Sequence, residues 1–223
     1  ALVQLLISLA AIAASAVAAP FITDPASFFG LYETSRFAAI LQCDFTTLIL
    51  VGMYIFLAPA LFLALKERNP FLVFFSVLGC LIVVAAAFST HSGFSFLHMA
   101  REYTEAGPEL RQQLITAAHG VLAADIWHST AGFMSGILLQ GGGVILSILM
   151  LRSAGFRKIT AWSGIFANGL DLMQHCIHYN LPDVAINILY LAGVAYFIWF
   201  ITLFLDLRNL SKRSDEFGVN SAE

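Results

Sequence analysis

The chain has 223 residues, of which 59% are hydrophobic and only 11% charged, with 20 Phe and a formal net charge of −3. An average soluble domain carries about 25% charged residues, and a soluble fold of this length has more surface than so few charges cover, so the composition excludes an ordinary soluble protein and indicates an integral membrane protein. The balance is slightly acidic and no basic run occurs, which excludes a nucleic-acid partner and leaves the lipid bilayer as the first partner.

A helix that crosses a bilayer needs about 20 apolar residues, and that rule divides the chain into six spans. The first runs from Ala1 to about Ala18. Its small-residue end resembles that of a signal peptide, but no charged segment precedes the apolar run, so it reads as a membrane helix. The second span runs from about Phe37 to Leu65, the third from Pro70 to about Phe96, and the fourth from about Ser129 to Leu151. The fifth covers about Ile159 to His178, and the sixth Val184 to about Leu205. "KERNP" and "RSAGFRK" mark short turns, and Pro70 suits a first helical position. The expected fold is a single all-α domain over residues 1–223, a bundle of six transmembrane helices.

Basic residues orient it. Lys66, Arg68, Arg152, Arg157, Lys158, Arg208, Lys212 and Arg213 fall on one face, and Arg36, Arg101 and Arg111 on the other. The richer face is expected in the cytoplasm, together with both termini. Residues 20–36 and 99–127 then face outward, the latter as an amphipathic helix with a break at Gly120.

Cys43, Cys80 and Cys176 stand singly in apolar segments, without a CxxC pair, and read as small apolar filler. Gly132 and Gly136 have GxxxG spacing and Gly141–Gly143 follow, which suits close helix packing within a bundle or at a dimer contact. Trp127, Trp162 and Trp199 lie near span ends and fit interfacial anchoring.

The histidines carry the chemistry. His91, His98, His119, His128, His175 and His178 all fall on the outer side, as do Asp44, Asp125 and Asp171. In "DLMQHCIHY", Asp171, His175 and His178 share one helix face, with Gln174 beside them. His91, Ser95 and His98 repeat that spacing on the third span, Asp125 and His128 stand at the mouth of the fourth, and "QCDFTT" places Asp44 in the second. A carboxylate at the bilayer centre costs about 2.5–3.5 kcal/mol, so such residues face a partner or water. A shared outward polar cavity accounts for all four stripes.

Imidazole and carboxylate together ligate transition metals. Asp44, His91, His128, Asp171 and His175 are the candidate ligands, with zinc or iron the candidate metal, and a bound metal would activate water for hydrolysis. His91 and His175 are alternatively the axial pair of a haem in an electron carrier. The spacing also fits hydrogen-bond networking alone, worth about 0.6 kcal/mol per contact in membrane helices, in a structural or accessory subunit of a membrane complex or in a homo-oligomer. A small transporter is the remaining reading, although the inner halves of the spans offer few polar groups besides Gln140. No HExxH, phosphate loop or nucleophile triad spacing occurs.

The runs "REYTEAGPELRQQLITAAHGVLAA" and "GILLQGGGVILSILMLRSAGFRKITAWSGIFANGL" resemble an uncharacterised family of bacterial multi-pass membrane proteins, of the kind classed as a domain of unknown function. Met150–Ser153 and the helix entry at Lys158, Thr160, Ala161, Gly164 and Ile165 carry the likeness, which is strongest over Arg101–Gly169. It implies a six-helix bundle in the bacterial cytoplasmic membrane and brings no activity, because the matching residues are turns and packing positions.

Overall fold

The computed structural model describes residue 6 and residues 22–219, except 127 and 179, with side chains as far as residue 213. The first expected span and Trp127 therefore lie outside the described residues. Within them the chain is helical and holds no strand. The helices are α1 (Pro25–Thr34), α2 (Arg36–Gln42), α3 (Phe45–Gly52), α4 (Tyr54–Leu65), α5 (Pro70–Thr90), α6 (Gly93–Glu105), α7 (Pro108–Ala124), α8 (Thr130–Leu151), α9 (Lys158–Ile177) and α10 (Pro182–Val219).

Four helical stretches are long and apolar enough to cross a membrane: Phe45–Leu65, Pro70–Glu105, Thr130–Leu151 and Pro182–Arg213. They overlap the second, third, fourth and sixth expected spans, the second beginning at Phe45 and not at Phe37, because the chain breaks at Cys43–Asp44. The expected fifth span is helical as α9, but Asn168, Asp171, Gln174 and His175 dilute its apolar character, and it is not among the four. The amphipathic stretch breaks at Ala106–Gly107, not at Gly120, which lies inside α7. Pro108 explains the position: it lacks an N–H and fits the first helical turn, so the chain restarts there.

Contacts group the chain into two compact units. The first comprises the described residues of Leu6–Gly52 and Ala85–Met134. Its core is built from Phe28, Phe29, Ala39, Cys43, Phe96 and Ala100, with Ala118 from α7. Phe28 meets Phe96 edge-on at 5.4 Å, and Phe29 packs on Tyr103 at 4.8 Å. Arg111 covers the other face of this cluster, 4.6 Å from the Tyr103 ring and 3.0 Å from Glu33. Asp24 caps α1, and the Ser27 hydroxyl and backbone N–H hold its carboxyl below the usual range.

The second unit comprises the described residues of Met53–Val84 and Ser135–Glu223. Here α9 packs along α10, with Ala161, Ala167, Ala192, Trp199 and Leu203 buried. Glycines permit the close approach of α8 and α9. A Cβ on Gly136 would meet the His175 ring, and one on Gly143 would meet the Asn168 amide. Gly132, in the first unit, faces the Ile126 carbonyl instead. The GxxxG glycines are thus taken up within the chain.

Candidate functional site

Helix α2 ends at Cys43, whose N–H reaches the Ile40 and Leu41 carbonyls. Asp44 follows with φ 50°, the one positive φ among the described non-glycine residues. That conformation costs an L-residue about 1–2 kcal/mol, and Asp tolerates it better than most because its side chain bonds locally. Asp44 does so: Oδ1 accepts the Thr46 hydroxyl at 3.2 Å and the Thr47 N–H at 3.3 Å, capping α3. Its Oδ2 is buried and meets no hydrogen-bond donor. An unsatisfied buried carboxylate oxygen on a strained backbone is the feature most in need of a physical reason.

That oxygen belongs to a residue lining a small cavity of about 20 Å³. Gln42, His91, Ser92, Asp125 and His128 complete its polar wall, and no Lys or Arg lines it among the described residues. A water needs about 10–15 Å³ on this measure, so the cavity takes one water-sized occupant. Organic ligands occupy sites of about 300–1,000 Å³.

Three helix breaks meet here. The first is Cys43–Asp44. At the second, His91–Ser92, the Ser92 N–H donates to Asp125 Oδ2 at 2.8 Å, so the carboxylate sits at the N-terminus of α6, where the helix dipole favours negative charge. At the third, after α7, the His128 N–H bonds the Asp125 carbonyl at 3.0 Å. His91 bridges the first two breaks. Its Nδ1 accepts the Gly93 N–H at 3.3 Å, which places the ring proton on Nε2, 3.4 Å from the Asp44 carbonyl. Both ring nitrogens are thereby occupied, and a metal or haem iron at His91 would have to displace one of these contacts. Gly93 is required for this arrangement, because a Cβ there would stand 2.8 Å from His91 Cε1 and 3.0 Å from the Cys43 carbonyl.

Of the five candidate ligands, Asp44, His91 and His128 line this one cavity. Asp171 and His175 belong to the other unit. There Asp171 Oδ2 accepts Gln140 Nε2 at 2.9 Å and lies 3.0 Å from the Tyr196 hydroxyl, which is also 3.2 Å from Asn168 Oδ1. Asn168 Nδ2 donates to the Gly164 carbonyl at 2.8 Å, which fixes the amide orientation. Asp171 therefore takes part in a hydrogen-bonded chain across α8, α9 and α10. His175 packs over Gly136, and its carbonyl lies 2.8 Å from His178 Nδ1. Among the described residues no group of three or more His, Cys, Asp or Glu is placed to hold a metal ion.

Two participants lie outside the five candidate ligands. Asp125, named with the outer carboxylates but not among the candidate ligands, lines the pocket and accepts the Ser92 N–H. Tyr196 stands in an apolar span where a tyrosine reads as aromatic filler.

No family model, curated protein or solved structure matches the chain.

Proposed function

We propose that this is a polytopic protein of the bacterial inner membrane, with six spans and cytoplasmic termini, in which the Asp44 pocket holds one small cation that pins three helix breaks together. The observation that carries the cation is the buried, unpartnered Asp44 Oδ2 in a cavity that Asp125, His91 and His128 also line and that holds no Lys or Arg among the described residues. A buried carboxylate oxygen without a donor, as at Asp44 Oδ2, is stabilised by a positive charge beside it. A hard divalent cation such as magnesium or manganese binds through one or two carboxylates with water completing its shell; the cavity has room for the ion alone, so that water would lie outside it, on the side of the exposed His128. His128, exposed at the rim, adds an imidazole that widens the choice towards zinc or iron.

The spans rest on separate support. Besides the four apolar helices, α9 exposes Ile159, Trp162, Phe166 and Met173, as a lipid-facing side requires, while Asn168 and Asp171 bond to α8 and α10. The first span, the apolar run at residues 1–18, is proposed from its sequence, and the distribution of basic residues supports the orientation. The bacterial location follows from the family resemblance. In this reading the protein is a structural or accessory membrane component stabilised by its ion, without a substrate cavity of its own at the pocket.

Thermal unfolding in mild detergent tests the cation. A ligand that binds only the folded state at 100 times its Kd adds about 2.7 kcal/mol, so millimolar magnesium or manganese is expected to raise Tm by several degrees over the chelated protein. Asp44→Asn keeps a side chain that tolerates the left-handed backbone and is expected to lose the response. An equal rise in both proteins defeats the proposal.

A further inference from the structure

The loop between α8 and α9 and the end of α10 form a second cleft, of about 130 Å³, lined by Gly155, Arg157, Asp206, Asn209 and Arg213. Against about 10–15 Å³ for a water, it admits a group of several heavy atoms. We propose that this cleft binds the phosphate of an anionic phospholipid headgroup. The proposal requires membrane insertion but not the cation pocket.

The cleft is built around a fixed guanidinium. Asp206 is 2% exposed and accepts the Arg157 backbone N–H at 3.0 Å, Arg157 Nε at 2.6 Å and the Thr160 hydroxyl at 2.5 Å. Arg157 Nη2 also donates to the Thr202 carbonyl at 2.9 Å. These bonds engage two of the five guanidinium N–H groups. The other three make no hydrogen bond among the described residues, and the side chain remains 48% exposed. A buried carboxylate thus holds one edge of the guanidinium and leaves the opposite edge open, the geometry that suits paired oxygens of a phosphate.

Charge and depth identify the source of the phosphate. Asp206 is matched by Arg157, so Arg213 leaves the lining with one excess positive charge, and Lys158, Arg208 and Lys212 are exposed next to it in sequence. Helix α10 has 38 residues, about 57 Å at 1.5 Å per residue, against a hydrocarbon core of about 30 Å. Counted from Pro182, the core ends near Leu203, so Asn209 and Arg213 reach the headgroup layer. Basic pockets at that depth recognise anionic headgroups.

The test uses the full chain in nanodiscs made from equimolar phosphatidylcholine and phosphatidic acid, with the retained lipid read by native mass spectrometry. The wild type is expected to enrich phosphatidic acid at least fivefold. Arg213→Gln should reduce that enrichment at least threefold, whereas Arg208→Gln, an equal charge change outside the lining, should leave it within twofold. An equal loss in both variants assigns the effect to diffuse surface charge and overturns the cleft, as does the absence of enrichment. In phosphatidylcholine discs, inorganic phosphate followed by phosphorus NMR should show no Arg213-dependent binding. Such binding without lipid enrichment would overturn the lipid as the source and assign the cleft to a soluble phosphate.

Discussion

At the scale of single residues, Asp44 and Gly93 decide the His/Asp pocket. Asp44 takes the left-handed backbone that closes the break between α2 and α3, and Gly93 leaves the space in which His91 reaches both neighbours. Gly93→Ala pushes a methyl group against the His91 ring and the Cys43 carbonyl. Overpacking of this kind costs about 1–3 kcal/mol, and Tm should fall by about 2–4 °C per kcal/mol in a chain of this length. An unchanged Tm with an unchanged cation response would show that His91 is not held as described. Asp44, His91 and His128 were legible in sequence because charged and imidazole groups stand out in apolar runs. The break at Asp44 was not, since "QCDFTT" contains neither Gly nor Pro and the turn rests on bonds from Thr46 and Thr47. The stripe of Asp171 and His175 was legible as a helix face, but its partners Gln140 and Tyr196 depend on how α8 and α10 pack, which no local spacing encodes.

At the scale of elements, apolar length alone located four helices, because a bilayer imposes about 20 residues on each. The same reading placed a fifth span at Ile159–His178, which is helical as α9, although its polar face keeps it out of those four. The break before α7 was available in the Gly107–Pro108 pair, a strong turn signal, whereas Gly120 sits in open space on a continuous helix. The faces of the helices make a direct test. Cys43 and Cys80 are buried, and Cys176 on α9 is exposed. A membrane-permeant maleimide should therefore label Cys176 in the folded protein well before the other two, with Cys43 and Cys80 reacting only on unfolding. Equal rates at all three sites would contradict the assigned faces. The basic residues also sort by element: Arg157 is fixed by α10 through Asp206 and Thr202, so a loop residue acquires the rigidity of a helix.

At the scale of the whole molecule, a chain with few charges concentrates its polar groups where they offset one another. Hydrogen bonds link Gln140, Asp171 and Tyr196, although Gln140 Oε1 stays buried without a partner, and the Arg157–Asp206 pair is matched through charge. The Asp44 pocket leaves one buried carboxylate oxygen without a donor and has no Lys or Arg in its lining among the described residues, and the proposed cation would supply the missing charge. The most direct measurement is elemental analysis with an absorption spectrum, on protein purified in mild detergent without a His tag or chelator and then equilibrated with magnesium, manganese and zinc. The expected result is about one equivalent of a divalent cation per chain, as a two-carboxylate site holds, lost in Asp44→Asn, with no Soret band. Less than about a tenth of an equivalent, or full retention in Asp44→Asn, would contradict a cation at Asp44 and leave the pocket a hydrogen-bonded junction of three helix breaks.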